Sequence, residues 1–265
     1  MTQNKTALIL GGSRGIGHAS AMELAGMGYD IAFTYASNEE AAAETKAKIE
    51  ALGRRCFFRQ ASLQNDGVPD SAVEWAVDSL GELDAMVYVA GKTSWHDIVK
   101  ITAEKIDSIY TLDYRAPLLC TAAAARHMTQ RGIKGSIVYI TSVHARRAFP
   151  YDAVYGGIKA ALERSVQSIA LELSHYGIRV NAVAPGMTSV RGPDTEENLT
   201  REWAKKLPLG RYGKASEIGA AVAFLISDKS SYITGETIRV DGGMILPGMP
   251  EDASPEAGYG WSKLR

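Results

Sequence analysis

A tyrosine and a lysine four positions apart are the residues of this sequence best suited to proton transfer. Tyr155 and Lys159 fall within a helical pattern, so their spacing places them on one face of that helix. There the ammonium can stabilise a tyrosinate, and the phenol can protonate an alkoxide as hydride reaches a carbonyl carbon, or deprotonate an alcohol in reverse. Ser142 directly follows a central predicted strand, at the end where α/β sheets place ligands. The three residues together predict hydride chemistry on a carbonyl or an alcohol.

A glycine-rich turn near the N-terminus predicts a phosphate-binding site. It reads Leu10-Gly11-Gly12-Ser13-Arg14-Gly15-Ile16-Gly17 and opens directly into a helical pattern. Glycines permit a tight strand-to-helix turn and a close approach to a pyrophosphate, whose charge a helix N-terminus favours. Glycines also end strands for structural reasons alone, but the position at the first strand–helix junction indicates a dinucleotide.

The end of the second predicted strand favours NADP(H) over NAD(H). NAD-binding sheets usually place an acid there, about 20 residues beyond the glycines, to hold the ribose hydroxyls. Here the strand ends Phe33-Thr34-Tyr35-Ala36-Ser37, and the first acid is Glu39. We expect Arg14 to pair with a 2′-phosphate and Ser37 to hydrogen-bond it, the alternative being that Arg14 points into solvent.

Short apolar or β-branched runs alternate with helical patterns along the chain, which predicts a parallel sheet covered on both faces. The predicted fold class is therefore α/β, a doubly wound, seven-stranded Rossmann-like sheet, with residues 1–265 forming a single domain. The predicted strands are Thr6–Leu10, Ile31–Tyr35, Cys56–Gln60, Ala85–Val89, Gly135–Thr141, Arg179–Ala184 and Thr237–Val240. The predicted helices are Ile16–Met27, Glu39–Leu52, Val68–Leu80, Ala103–Arg131 (bent near Pro117), Ala153–Tyr176 and Glu217–Ser227.

Two segments interrupt this alternation. Residues 187–214 form a long connection with helical character in its middle, which favours a substrate lid, and residues 242–265 form a tail that can pack on a neighbouring subunit or fray. The aromatic and polar side chains nearby suit a mid-sized carbonyl compound. His144 can hydrogen-bond the substrate or act as a second proton-transferring group, or it can bond backbone as an ordinary loop histidine. The expected substrate contacts are His144, Trp95, Met187 and Trp203.

Composition restricts the partners. The chain has 265 residues and a formal net charge of -1, which argues against a nucleic-acid-coating surface or a polybasic membrane anchor. No apolar stretch approaches the ~18 residues of a membrane span, and no signal-peptide core precedes the first strand. Cys56 and Cys120 lie in apolar segments and are expected to be buried, forming neither a disulfide framework nor a metal cluster. We expect a cytoplasmic protein with a small-molecule substrate and no metal, nucleic-acid or membrane partner.

With Asn181-Ala182-Val183-Ala184-Pro185-Gly186 and Asp241-Gly242-Gly243, these motifs make the chain similar to the short-chain dehydrogenase/reductase family, in its branch of single-domain enzymes of about this length. The resemblance covers nearly the whole chain. It implies that Tyr155 is the proton donor, that Lys159 binds the nicotinamide ribose and tunes the tyrosine, and that Ser142 holds the substrate oxygen. Members of this branch are often tetramers, so a homo-oligomer, either a tetramer or a dimer, is expected.

Four positions depart from the family's pattern. Leu10 replaces a threonine, Ser62 replaces an aspartate that contacts adenine, and Tyr88-Val89-Ala90-Gly91 replaces Asn-Asn-Ala-Gly. Asp113 aligns with the catalytic asparagine that seats a water linking Lys159 to bulk solvent, and it is expected to be a fourth catalytic residue or else a helix-interior residue making backbone contacts. The expected NADP(H) contacts are Gly11, Ser13, Arg14, Gly15, Ile16, Gly17, Ser37, Ser62, Leu63, Ala90, Gly91, Tyr155, Lys159, Pro185, Gly186 and Thr188.

The leading hypothesis is an NADPH-dependent carbonyl reductase that reduces a ketone or aldehyde, reversibly oxidising an alcohol. The alternative within the enzyme class is a 3-oxoacyl-thioester reductase, which the mildly basic lid would suit. A different class, a catalytically weakened nucleotide-binding scaffold protein, is motivated by the four departures. The intact set of Ser142, Tyr155 and Lys159 argues against it.

Overall fold

In the computed structural model, which describes residues 4–190, 196–199 and 202–246, seven parallel strands form one sheet, as the sequence predicts. Two further strands of two residues each pair with one another. In chain order the strands are β1 Thr6–Leu10, β2 Asp30–Tyr35, β3 Cys56–Gln60, β4 Ala85–Tyr88, β5 Ser136–Ile140, β6 Arg179–Pro185, β7 Thr188–Ser189, β8 Gly213–Lys214 and β9 Thr237–Val240.

The order of strands in the sheet is β3-β2-β1-β4-β5-β6-β9. The chain therefore reverses its direction across the sheet between β1 and β4, which are hydrogen-bonded neighbours. In open parallel sheets the crevice outside the carboxyl ends of the strands at such a switch point is where ligands bind. The carboxyl ends of β1, β4, β5 and β6 are therefore the part of the fold that positions the site.

Helices cover both faces of the sheet and divide the core into two layers. The helices are α1 Gly15–Gly26, α2 Glu39–Ala51, α3 Val68–Leu80, α4 Ala103–Tyr110, α5 Ala116–Arg131, α6 Ala153–Leu173, α7 Glu196–Leu199 and α8 Ala215–Ile226. One core packs β1 and its neighbours against α1, α2 and α8, and the other packs them against α3, α5 and α6.

Alternate residues of each central strand enter opposite cores. In β1, Leu8 and Leu10 face the layer of α3, α5 and α6, whereas Ala7 and Ile9 face the layer of α1, α2 and α8. All four side chains are fully buried. Burial on both faces explains why these strands are continuously apolar in sequence instead of alternating with polar residues.

The long helix predicted over residues 103–131 is interrupted, and the interruption precedes the proline expected to bend it. A π-helical turn, Thr111–Arg115, separates α4 from α5. Pro117 has no N–H group, so the carbonyl of Asp113, four residues earlier, lacks its usual helical donor. A π turn is one way to absorb such a break, and such turns are frequent at functional sites. It places the side chain of Asp113 in the interior.

The predicted lid and tail are described only in part. Strand β7 pairs in parallel with β8, and a 3-10 turn at Glu202–Lys206 lies between them, while residues 191–195, 200–201 and 247–265 lie outside the described residues. The start of the tail returns to the lid, since the Leu209 N–H donates to the Gly242 carbonyl at 3.2 Å. Whether residues 1–265 form a single domain stays a prediction.

Two further predictions from composition can be compared with the structure. Cys56 and Cys120 are buried and unpaired, as expected, and burial raises the pKa of the Cys56 thiol to about 12 and that of Cys120 further still. Among the described helices, none has both the length and the apolar character needed to cross a membrane.

Candidate active site

The three residues with the strongest chemical signal meet at the carboxyl edge of the sheet. Ser142 follows β5, and Tyr155 and Lys159 lie one helical turn apart at the start of α6. Ser142 and Tyr155 both line a cavity of about 740 Å³. All three residues are buried, at 5 to 9 % exposure, so the cavity brings a hydroxyl and a phenol together away from bulk water.

The ammonium of Lys159 is held near Tyr155 by a backbone carbonyl and a carboxylate. Its Nζ donates to the carbonyl of Ile140 at 3.3 Å, and it lies 3.0 Å from Oδ1 of Asp113. The same Nζ is 5.6 Å from the centroid of the Tyr155 ring. The positive charge is therefore held beside the phenol by a carbonyl at the end of β5 and a carboxylate of the π turn.

Asp113 is a buried partner of Lys159 and not merely a helix-interior residue with backbone contacts. Its side chain is fully buried, and its Oδ2 accepts a hydrogen bond from the Lys92 N–H at 3.2 Å. Oδ1 has no aligned hydrogen bond among the described residues, so its contact with Lys159 is one of charge. A Cβ at Gly91 would lie 2.6 Å from that Oδ1, so only glycine leaves room for the carboxylate at this position.

Ser142 opens the short 3-10 turn Val143–Ala145 at the end of β5. Its Oγ accepts a hydrogen bond from the His144 N–H at 3.2 Å. This contact uses a lone pair of the hydroxyl, so the O–H proton stays available to a substrate oxygen in the cavity. Ser142 is thereby oriented by the backbone of the turn that carries His144.

The glycine turn between β1 and α1 is shaped by close backbone contacts. A Cβ at Gly17 would lie 1.9 Å from the Gly11 carbonyl oxygen, and a Cβ at Gly11 would lie 2.9 Å from the Ala90 backbone nitrogen. Gly11 and Gly15 have φ values of +95° and +53°, in the left-handed region that favours glycine. These glycines are therefore required by the turn itself.

The N-terminus of α1 fits a nucleotide pyrophosphate. Arg14 precedes the helix without a capping side-chain hydrogen bond, and the first turn contains no acid. By contrast, α2 is capped by Asn38, whose Oδ1 accepts from the Ala41 N–H at 3.0 Å, and its first turn carries Glu39 and Glu40. Within the described part of the chain, the first N–H groups of α1 therefore have no side-chain acceptor, and a helix start of this kind favours an anion.

The remaining residues expected at the cofactor lie along the same edge of the sheet. Arg14 and Ser37 are exposed, at the ends of the neighbouring strands β1 and β2. Thr188 donates its hydroxyl to the Gly186 carbonyl at 3.1 Å. The others lie in the glycine turn, after β3 and β4, or at the end of β6 and just beyond it, at Ser13, Ile16, Ser62, Leu63, Ala90, Gly91, Pro185 and Gly186.

The cavity contains all four expected substrate contacts, namely Trp95, His144, Met187 and Trp203. Sequence reasoning missed Thr93 and Met244, which also line it. It also missed Asp152, whose Oδ2 is 2.8 Å from Nδ1 of His144. Asp152 directly precedes α6, so in sequence it looks like an ordinary capping residue, and nothing there indicates a contact with His144.

Part of the positive charge expected on the lid is neutralised by a carboxylate of the protein itself. Arg211 forms two hydrogen bonds to the carboxylate of Glu217, at 2.9 and 2.6 Å, and these chiefly lower the pKa of Glu217 to about 2. Lys206 lines the cavity, with its ammonium 4.2 Å from the centroid of the Trp203 ring. Arg211 thus fastens the lid to α8, and Lys206 is the lid cation that the described residues bring to the cavity.

Comparison with known proteins agrees with this geometry. Residues 11–245 match the family model described as enoyl-(acyl carrier protein) reductase. The chain is 33 % identical to an L-rhamnose 1-dehydrogenase (NAD(P)(+)) of Sphingomonas, over 93 % of this chain and 98 % of that protein. It is 34 % identical to a 3-oxoacyl-[acyl-carrier-protein] reductase of Staphylococcus aureus, over 93 % of this chain and 100 % of that protein.

Among solved structures, an acetoin dehydrogenase from Salmonella typhimurium superposes with a TM-score of 0.88 at 34 % identity, covering 96 % of this chain and 98 % of that one. The chain belongs to the short-chain dehydrogenase/reductase family. It is an oxidoreductase that acts on a carbonyl or alcohol group with a nicotinamide cofactor.

Proposed function

We propose that this chain is an NADP(H)-dependent carbonyl reductase in which Tyr155 gives the proton to the substrate oxygen. The observation that carries the proposal is the shared cavity of Ser142 and Tyr155, with the Lys159 ammonium fixed beside the phenol. When bound, the reduced nicotinamide supplies hydride to the carbonyl carbon. Everything else in the reaction is positioning and proton transfer by side chains of this chain.

Each residue has a separate task in this proposal. The Ser142 hydroxyl donates to the carbonyl oxygen and holds it beside the phenol, and Tyr155 then protonates that oxygen as negative charge develops on it. Lys159 stabilises the tyrosinate that remains, and Asp113 keeps the ammonium in place. Since the cavity buries these groups, their charges act on one another with little screening by water.

The cofactor preference rests on the charge at the end of β2. Ala36, Ser37 and Asn38 occupy the exposed positions there, and none of these residues between the end of β2 and Glu39 is a carboxylate. A 2′-phosphate would meet no like charge at Ala36–Asn38, and the exposed guanidinium of Arg14 lies on the neighbouring turn. We therefore infer a preference for NADP(H), with a homo-oligomer in the cytoplasm as the accompanying expectation.

A 3-oxoacyl thioester is the second candidate substrate. The 34 % identity to a 3-oxoacyl-[acyl-carrier-protein] reductase and the presence of Lys206 in the cavity favour it. A phosphate-bearing carrier or coenzyme thioester would then be reduced, while simple ketones of the same size would not.

The decisive experiment is turnover of a panel of ketones and aldehydes by the wild-type protein and by Tyr155→Phe. We expect the substitution to lower kcat about 10³-fold, because general acid catalysis is worth roughly 10² to 10⁴ in rate. The affinity for NADPH, measured by nucleotide fluorescence, should change less than about threefold, since the phenol matters mainly in the transition state. Tyr232→Phe, which removes a fully exposed phenol, is the control. Undiminished turnover by Tyr155→Phe would refute the assigned proton donor.

The same titration, repeated with NADH and with Arg14→Ala, tests the cofactor preference. We expect tighter binding of NADPH than of NADH by the wild-type protein. Arg14→Ala should weaken NADPH about tenfold and NADH by less than twofold, because a charge-assisted hydrogen bond is worth about 1.5 kcal/mol or more. An equal loss for both nucleotides would show that Arg14 does not read the 2′-phosphate.

A further inference from the structure

A histidine–aspartate pair stands at the wall of the cavity beside the proton donor. Nδ1 of His144 is 2.8 Å from Oδ2 of Asp152, and the side chains are only 13 % and 3 % exposed. The imidazole packs against three aromatic rings, with centroid distances of 4.2 Å to Phe149, 5.3 Å to Trp95 and 5.5 Å to Tyr155. Packing and the hydrogen bond together restrict the orientation of the ring.

Asp152 makes this contact with His144 instead of capping the N-terminus of α6. It occupies the position before α6, where an aspartate usually accepts hydrogen bonds from the first turn, yet it forms no capping hydrogen bond. Its second oxygen, Oδ1, is buried and has no hydrogen-bond partner among the described residues. The preceding residue, Tyr151, has a φ of +64°, a strained conformation for tyrosine. Costs of this kind are typical of functional sites.

The pair fixes which nitrogen of His144 can meet a ligand. A carboxylate only accepts hydrogen bonds, so Nδ1 carries the proton that it donates to Asp152. In the neutral form of this ring, Nε2 is then an acceptor. Since His144 lines the cavity, Nε2 is the nitrogen left for a substrate, and it selects a hydrogen-bond donor.

The position of His144 limits where that donor can lie on the substrate. The reacting oxygen is held between Ser142 and Tyr155, and His144 is two residues beyond Ser142 with its ring in contact with the Tyr155 ring. A ligand that reaches all three groups has its second polar atom close to the reacting oxygen, as on the adjacent carbon.

We propose that His144 accepts a hydrogen bond from a substrate hydroxyl on the carbon next to the reacting carbonyl, and that Asp152 positions it for this. The substrate class is accordingly α-hydroxy ketones and, in the oxidative direction, vicinal diols. This inference rests on the proposed function and specifies its substrate.

The test compares 2-hydroxyacetophenone with its methyl ether, 2-methoxyacetophenone, at saturating NADPH. Both place an electron-withdrawing oxygen beside the carbonyl, but only the first can donate a hydrogen bond. We expect wild-type kcat/KM to favour the hydroxy ketone about tenfold, the value of one well-made hydrogen bond. His144→Phe keeps a ring among the aromatic neighbours without an acceptor, and the preference should fall to about one. His144→Gln, which retains a side-chain oxygen, should restore part of it.

Trp95→Phe is the matched control, because it changes another ring of the cavity that contacts His144 without removing an acceptor. Its preference for the hydroxy ketone should stay near tenfold. Equal kcat/KM for the two ketones with the wild-type protein, or a preference that survives in His144→Phe, would overturn the inference and leave the reductase proposal intact. Failure of the wild-type protein to reduce any ketone while it binds NADPH would overturn both.

Discussion

Two buried carboxylates, whose partners both lie beside Tyr155, are partnered in different ways. Asp113 lies 3.0 Å from the ammonium of Lys159, whereas Asp152 lies 2.8 Å from the imidazole of His144. Both side chains are almost inaccessible, and in each an Oδ1 atom lacks an aligned hydrogen bond among the described residues. A lysine keeps its charge at working pH, while a histidine can be neutral.

The two pairs serve different purposes: that of Asp113 is required by the reaction, and that of Asp152 selects the substrate. Asp113 and Lys159 form a buried ion pair, and the ammonium acts on every substrate that Tyr155 protonates. The pair of Asp152 and His144 needs no positive charge, and it acts through the acceptor that it presents to the cavity. We therefore expect the two aspartates to respond differently to the same isosteric change.

The largest effect is expected for Asp113→Asn. This change leaves the Lys159 ammonium buried without an anion, and breaking a buried ion pair by removing one partner costs about 3 to 5 kcal/mol. The amide still offers an oxygen to Lys159, so we expect the lower end, about 3 kcal/mol off the free energy of unfolding by denaturant titration. Turnover should fall by a similar factor for hydroxy and methoxy ketones. A variant as stable as the wild-type protein would show that Lys159 is not balanced by Asp113.

The sheet and its helices could be predicted because buried strands and helices are recognisable in the sequence as apolar runs and helical patterns. The ends of β1, β3 and β9 match the predicted strands, and α3 matches its predicted helix. The π turn before Pro117 could not be predicted in place, since a proline indicates a break but not how the preceding turn absorbs it. The single-domain assignment stays a prediction.

The candidate site was predictable where the chemistry lies within one element. Tyr155 and Lys159 show their relation by helical spacing alone. The contact of Asp113 with Lys159 depends on how α6 packs beside the π turn, and a glycine far away in sequence, Gly91, makes room for it. Asp152 could not be recognised, because an aspartate before a helix is explained by capping until the structure shows that no cap is formed.

Asp152→Asn should differ from Asp113→Asn in the direction of its effect on the free energy of unfolding and in how its effect on turnover depends on the substrate. The buried charge disappears while an oxygen remains for the Nδ1–H of His144, so we expect the free energy of unfolding to stay within about 0.5 kcal/mol or to rise. The amide can instead donate to Nδ1, which turns Nε2 into a donor. The preference for the hydroxy over the methoxy ketone should therefore drop from about tenfold to about twofold. A loss of about 3 kcal/mol would mean that His144 is a permanent cation and that the two pairs are alike.

The smallest effect is expected for Tyr151→Gly, which tests whether the turn before α6 stores strain. A non-glycine residue in the left-handed region costs about 1 to 3 kcal/mol, and the extra freedom of glycine in the unfolded chain returns about 0.5 to 1. The Tyr151 side chain is 63 % exposed, so little packing is lost, and the net gain in the free energy of unfolding should be about 0.5 to 1 kcal/mol.

Ala148→Gly is the control for Tyr151→Gly, because it introduces the same freedom into the same turn at an exposed residue whose φ is not positive. It should lower the free energy of unfolding by about 0.5 kcal/mol. If the two substitutions destabilise the protein equally, the turn is unstrained and Asp152 reaches His144 without backbone cost. If Tyr151→Gly is stabilising and also weakens the preference for the hydroxy ketone, the strained turn is part of what holds Asp152 against His144. With that outcome, the two carboxylates would differ in the backbone that holds them as well as in their partners, because only Asp152 would depend on a strained turn.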